Sequence, residues 1–497
     1  MTEAEIAAVL AEAYRDHRAG RLTEALVGYA RVLAVRPDHP DALNLAASAT
    51  RAKGDGAAAV ALARRAAAAA PARADIRYNL GNALSAIGDP EAAADAFRAA
   101  LMLAPGHADA AANLGVALGR LADTTDAEAA YRAALAIDPD HRMARLNLGN
   151  LLGELGRADD GIAELREVVR RHPDLAEGRY NLALALLRAG DWVAGFRDYE
   201  WRWRTEDFAS PARHGDIPDW DGRPLDGRRL LVHAEQGLGD TLQFARLLPL
   251  AASLGARITL EAPTVLVRLL TGIAGADEVT DRVDPAAFAC QTPLMGLPHR
   301  LGLTPGSVPA PAASLTADPQ RVATWSERLR LGGAEEVVAV AWRGNPASPA
   351  DRGRSLDRAD RLAPLAAPRR RLMAVQKLAR DELEVADVAS GWRVADTGDL
   401  MIEHPGPDFD AGRDAFLDTA AVFMACDRVV TIDTALAHLA AALGRPTEVL
   451  LKRVPDWRWL EERTDTPWYP TVRLHRQTVA GDYAGPIASA AAALAPG

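Results

Sequence analysis

The sequence predicts an α-helical repeat solenoid followed by an α/β region of two doubly wound lobes, and three observations carry that prediction. Pro37, Pro71, Pro105, Pro139 and Pro173 stand 34 residues apart. Gly20, Gly54, Gly88, Gly156 and Gly190 keep the same period, with Ala122 at the missing beat. A fixed period of this length marks stacked helix–turn–helix units. Beyond residue 228 short apolar runs alternate with helical segments instead, the pattern of a parallel sheet wrapped in helices.

Composition sets the outer limits. At 497 residues the chain is too long for one core and predicts two or three domains. Hydrophobic residues make up 49% and charged residues 25%, an ordinary globular balance. A net charge of −10 argues against nucleic-acid binding, which needs clustered Lys and Arg. Cys290 and Cys426 lie far apart and predict neither a disulfide framework nor a thiolate metal site. The start, Met1-Thr2-Glu3-Ala4-Glu5, lacks a signal peptide's basic and apolar regions, and Arg64, Arg65 and Arg73 break the Ala-rich stretches. A cytoplasmic protein without a transmembrane segment is expected.

Each solenoid unit follows helix-packing needs. Counting a unit from residue 74, Leu80-Gly81 lies in the first helix, and Gly81 lets the second helix approach. Gly88 turns the chain, Ala93 is the small contact, Phe97 the large knob, and Pro105 ends the unit. Leu114-Gly115, Ala127, Tyr131 and Pro139 repeat the scheme, as do Leu148-Gly149, Gly156, Leu165 and Pro173. Residues 1–204 thereby resemble the tetratricopeptide repeat (TPR) family, with about six repeats. Asn79, Asn113, Asn147 and Asn181 share the period, so stacking predicts a row of carboxamides. Such a row can hold the backbone of an extended acceptor peptide, and it is similar to the asparagine ladder of eukaryotic protein O-GlcNAc transferase. The alternative is that Asn is simply common at this repeat position. The last unit carries Trp192, Phe196, Tyr199, Trp201 and Trp203, too aromatic for a polar cap, and predicts a buried junction with the following domain.

Residues 205–228, rich in Pro, Gly and Asp, read as an ordered connector. Strands are expected at Arg229 to Ala234 and Arg257 to Glu261 in a first lobe (229–331), with a helix near Val322 to Leu331 closing it. A second lobe (332–485) is expected to hold strands at Val337 to Trp342, Arg371 to Gln376, Arg428 to Ile432 and Thr447 to Leu451. Open α/β sheets bind ligands beyond the carboxyl ends of their strands, which focuses attention on three loops. In the first, Gly237 and Gly239 permit close backbone approach and offer N–H groups to an anion. Asp240 at its joint with the helix is either a base or a cap. In the second, Thr434 opens a helix from Ala435 with His438 one turn in, an anion site with a hydroxyl. Asp433 beside it would repel phosphates and either accepts sugar hydroxyls or caps the helix. In the third, Arg343, Arg352 and Arg354 supply the charge for a diphosphate or are simply a surface charge run, and Asn345 and Gln376, at the end of a neighbouring strand, join the donor-binding set.

The segments 233–249, 342–355, 418–446 and 454–477 resemble the glycosyltransferase family 9-like domain of bacterial TPR proteins, related to ADP-heptose:lipopolysaccharide heptosyltransferases. The resemblance implies a GT-B fold of two Rossmann-like lobes, the first on the acceptor side and the second on the nucleotide-sugar donor side. It implies Asp240 as general base, and a donor element at Asp433, Thr434 and His438 with Ala435 in place of a glycine. Related TPR proteins often carry His and Asn where this chain has Ser348 and Ala350. The implied reaction is inverting sugar transfer from a nucleotide sugar, with leaving charge met by helix N-termini and arginines and no metal or other cofactor. Asp219-x-Asp221 and Asp408-x-Asp410 look like metal-binding pairs but read as solvated turns. Trp457, Trp459, Trp468 and Tyr469 either stack on the nucleotide base or pack in the core. The expected acceptor is a Ser or Thr of a protein brought by the TPR arm, flagellin being one candidate for this protein glycosylation. The alternatives are a saccharide or lipid-linked acceptor, and a non-catalytic TPR scaffold.

Overall fold

The computed structural model describes every residue except 209, 332, 349, 350, 387, 389, 390, 396, 496 and 497. The chain divides into two compact units, Met1–Asn181 and Leu182–Gly497. Its architecture is the predicted one, a helical solenoid and an α/β region.

In the first unit, helices pair from Glu3–Arg18 and Leu22–Val35 through Arg142–Glu154 and Ala158–Arg171. Pro37, Pro71, Pro105 and Pro139 each follow a helix end by two residues, where the ring forbids another turn. Gly81, Gly115 and Gly149 allow the close approach: a Cβ there would meet Phe97, Tyr131 or Leu165 at 2.5, 2.6 or 2.8 Å. The turn glycines are left-handed, Gly20 at φ 76° and Gly88 at φ 75°, and Ala122 is held in the same region at φ 60°. That conformation costs an L-residue with a Cβ about 1 kcal/mol or more, so Ala122 is a strained joint.

In the second unit, the first lobe is a parallel sheet of β1 (Arg229–His233), β2 (Arg257–Glu261), β3 (Glu278–Thr280) and β4 (Cys290–Pro293), in the order β3-β2-β1-β4. The second lobe contains β5 (Glu336–Ala341), β6 (Arg370–Ala374), β7 (Leu383–Val385), β8 (Trp392–Val394) and β9 (Glu403–His404). It continues with β10 (Arg428–Ile432), β11 (Thr447–Leu451) and β12 (Val472–Arg476), in the order β12-β11-β10-β5-β6-β9-β8-β7. The pairings from β12 to β9 are parallel, while β7, β8 and β9 pair antiparallel. Strand order reverses between β1 and β4 in one sheet and between β5 and β10 in the other. Those switch points put the loops leaving β1, β5 and β10 at crevices.

Sequence reading missed six strands because none is a long apolar run. In β4 and β12 polar residues and Pro293 interrupt the pattern, and β3 and β7 to β9 are two- or three-residue pairings that depend on their neighbours. The connector is ordered by β4: Trp220 N–H donates to Gln291 O at 2.7 Å, and Gln291 N–H to Pro218 O at 2.9 Å.

The aromatic helix Trp192–Tyr199 is buried in this second unit. Trp192 stacks on Trp468 at 4.8 Å, and Phe196 meets Trp457 edge-on at 5.5 Å. Phe244 of the first lobe touches both partners, at 5.4 Å from Trp468 and 6.2 Å from Trp457. One aromatic block thus ties the helix to both lobes. Beside it the fully buried Arg202 bridges Glu200 and Glu235, each at 2.7 Å, and fixes the start of the loop after β1. Among the described residues no helix is long and apolar enough to cross a membrane.

Candidate functional site

Within the second unit the loops after β1, β5, β6, β9, β10 and β11 surround a cavity of about 940 Å³. That volume suits a substantial small-molecule ligand. Asp240, Asp433 and Asp456 with Arg343, Arg354, Lys377 and Arg458 bring both signs of charge into one space.

Asp240 is cap and candidate base at once. Its Oδ2 accepts the Gly237 N–H at 2.8 Å, closing the first turn of the helix Leu238–Phe244. Its Oδ1 pairs with Arg458, which reaches over from the second lobe and also binds Asp456 at 2.8 Å. A carboxylate has about four lone-pair sites, so two bonds leave room for a hydroxyl donor. The glycines of this loop act differently from the sequence expectation. Gly237 gives its N–H to Asp240, and a Cβ on Gly239 would stand 3.1 Å from His438 and 3.3 Å from Ala435 Cα. Gly239 therefore lets the two lobes approach closely at the cavity wall.

After β10, Thr434 caps the helix Ala435–Ala442. Its Oγ1 takes the Leu436 N–H at 3.3 Å, and its carbonyl takes that of Ala437 at 3.0 Å. Asp433 is half-buried beside this turn, and burial together with the nearby Asp456 charge pushes its carboxyl above the usual range. Burial raises the cost of charge at Asp456 as well, but Arg458 outweighs it and holds that carboxyl low. His438 lines the cavity without offering it a charge. Its ring stacks on Trp459 at 5.3 Å, its Nδ1 meets the Tyr469 hydroxyl at 3.0 Å, and burial pushes its pKa down to about 3. His438 is thus a neutral, packed ring in the cavity wall beside the Thr434 turn.

The arginine loop is largely self-neutralised. Arg343 pairs with Glu382 at 2.6 Å and Arg354 with Asp351 at 3.3 Å, while Arg352 is exposed and not among the lining residues. Asn345 folds its Oδ1 onto the Ala347 N–H at 3.0 Å, and Ala350 lies outside the described residues. Gln376 accepts the Trp342 and Arg343 N–H groups at 2.8 and 3.0 Å, so it anchors the loop after β5. Next to it Lys377 is exposed, lines the cavity and has no carboxylate partner among the described residues. Sequence reading passed over Lys377, Arg458 and Asp456, although Lys377 follows the predicted strand directly.

Burial decides between the alternatives for the aromatic residues and corrects one acidic pair. Trp457, Trp459, Trp468 and Tyr469 are at most 3% exposed, so they are core and not a base-stacking surface. Asp410 is no solvated turn: it is 8% exposed, and its carboxylate takes the N–H of Asp418 at 3.1 Å and the hydroxyl of Thr419. Asp221 does behave as a surface turn, whereas Asp219 hydrogen-bonds Gln291. Among the described residues no group of three or more His, Cys, Asp or Glu is placed to hold a metal ion. In the first unit, Asn79 and Asn113 are half-buried and donate to Asn44 and Asn82, both at 2.9 Å. Asn147 and Asn181 are half-buried too. Part of the predicted row's hydrogen-bonding capacity is thus used between repeats.

Residues 78–142 and 146–204 match the tetratricopeptide repeat model, and residues 411–450 match that of glycosyltransferase family 9 (heptosyltransferase). TPR repeats and a family 9 segment therefore stand on one chain, and that segment includes Asp433, Thr434 and His438. Protein FlbA of Caulobacter vibrioides is 29% identical over 311 residues, 58% of this chain and 50% of that protein. The chain spans about half the length of this curated relative. Among solved structures, the MamA protein is 21% identical over 35% of this chain and 94% of its own, with a TM-score of 0.31. A thermophilic TPR protein of Thermus thermophilus is 24% identical over 37% of this chain and 99% of its own, with a TM-score of 0.32.

Proposed function

We propose that the chain is an inverting glycosyltransferase that moves a sugar from a nucleotide-sugar donor to an acceptor hydroxyl. The observation that carries this reading is the meeting of Asp240 and the Asp433-Thr434 turn in one cavity, with the second lying inside the family 9 match. The acceptor oxygen attacks the anomeric carbon, its proton passes to Asp240, and the bond from that carbon to the diphosphate oxygen breaks. Lys377, the Thr434 hydroxyl and the outer N–H groups of Arg354 meet the departing charge, an electrostatic role that asks for no metal or other cofactor. Arg458 holds the Asp240 carboxylate in place at the cavity wall.

The acceptor we propose is a Ser or Thr of a protein held by the TPR repeats in the cytoplasm, and a bacterial flagellin is one candidate. The repeats support a protein partner, and the carboxamides of Asn147 and Asn181 are the part of the row offered to an extended backbone. The decisive experiment pairs donor binding with turnover. Asp240→Asn should lose transfer and donor hydrolysis by about a hundredfold or more while binding donor nearly as well as the parent. Undiminished turnover would remove Asp240 as the base. A parent chain that binds donor without turning it over would favour the scaffold.

A further inference from the structure

With Trp457, Trp459, Trp468 and Tyr469 packed in the core, the cavity has one half-exposed aromatic ring among the described residues, Phe416. His438, the other ring in the wall, is 4% exposed and already covered on one face by Trp459. Phe416 is also conformationally unusual. It sits at φ 72° and ψ −13°, a left-handed backbone that a bulky residue rarely adopts. Such strain persists only where the surroundings over-determine it, and it concentrates at ligand sites.

The surroundings here are explicit. The Phe416 carbonyl accepts the Ala420 N–H at 2.9 Å, so the residue opens the helix Leu417–Ala425. The buried Asp410 clamps the next turn through the N–H groups of Asp418 and Thr419 and the Thr419 hydroxyl. The ring is therefore carried by a fixed backbone at the cavity wall. The cavity is chemically two-ended as well. Lys377 and the Thr434 turn offer charge and hydrogen bonds, while Ala415 and Phe416 offer an apolar surface.

We infer that Phe416 is the platform on which the nucleobase of the donor stacks, with its diphosphate toward Lys377 and Thr434. The inference rests on the nucleotide-sugar reading above and names its base subsite. An aromatic face receives any base, so Phe416 contributes affinity for the nucleoside more than choice among bases.

The test uses the full chain and calorimetric titration with ADP, GDP, UDP, CDP and inorganic pyrophosphate. The parent should bind at least one nucleoside diphosphate more tightly than pyrophosphate. Phe416→Gly should weaken that nucleotide by about 5- to 100-fold, the range of one base–aromatic stack, and leave pyrophosphate unchanged. Glycine accepts the left-handed backbone, so this variant removes the ring and relieves strain together. Phe416→Tyr, which keeps the ring, should bind as the parent does. Equal nucleotide affinity in Phe416→Gly and parent, or an equal loss for pyrophosphate, overturns the platform while leaving the transferase reading in place. A parent that binds neither the nucleotides nor pyrophosphate overturns both.

Discussion

Replacing Arg458 by Met should destabilise the second unit by an amount that depends on pH. The guanidinium is 10% exposed and pairs with Asp240, 17% exposed, and Asp456, 38% exposed. Its plane also lies 4.3 Å from the Trp457 ring, a contact that Met partly replaces. Breaking a fully buried pair costs about 3–5 kcal/mol, and the solvent open to Asp456 brings the expectation to about 2–3 kcal/mol near neutral pH. The pH sign follows from Asp456. Its folded carboxyl is held low by Arg458, so the parent has this stabilisation above the unfolded carboxylate range and loses it only as pH falls through the depressed folded value. Without the Arg458 guanidinium, burial is opposed by the backbone N–H at 458 and by Arg188, so Asp456 protonates at higher pH than in the parent. The deficit of Arg458→Met should therefore be largest near neutrality and shrink as the solution is acidified through the carboxylate range. All ten tryptophans lie at or beyond Trp192, so tryptophan fluorescence in urea reports the second unit alone. Asp456→Asn added to Arg458→Met should recover part of the loss. A midpoint unchanged from the parent at neutral pH, or a deficit that grows on acidification, would refute the reasoning.

Other consequences are as direct. Lys377→Ala should raise the donor KM several-fold and lower its salt dependence, with the fold intact by circular dichroism, because an exposed cation carries little packing. Ala122→Gly should stabilise the first unit by about 0.5–1 kcal/mol, relief of left-handed strain exceeding the added unfolded-state entropy. Its measure is the part of the helical circular dichroism transition that has no fluorescence counterpart. Gly81→Ala should cost about 1–3 kcal/mol in the same transition, since its methyl would stand 2.5 Å from Phe97. Gly239→Ala should lower transfer more than stability, because the clash falls on His438 and Ala435 across the cavity-forming loops.

What the sequence by itself determined is local and periodic. A 34-residue repeat places prolines, turn glycines and helix knobs without tertiary information, because each rule acts within one unit or its neighbour. The long parallel strands β1, β2, β5, β10 and β11 were legible as apolar runs, and so were the loops at their ends, which is where Asp240, Asp433 and Thr434 were found. The tertiary structure decided what those loops have to spare. Whether Arg343 is free depends on Glu382, 39 residues away, and whether His438 is charged depends on Trp459 and Tyr469. No local pattern separates a tryptophan in the core from one at a ligand, so Trp457 and Trp468 read the same either way until packing buries them. Phe416 and Lys377 escaped notice because exposure to a shared cavity is a property of the folded arrangement. Pairing and burial are long-range quantities, and they leave Lys377 and the Phe416 ring open to the cavity while Arg343, Arg354 and the tryptophans are paired or covered.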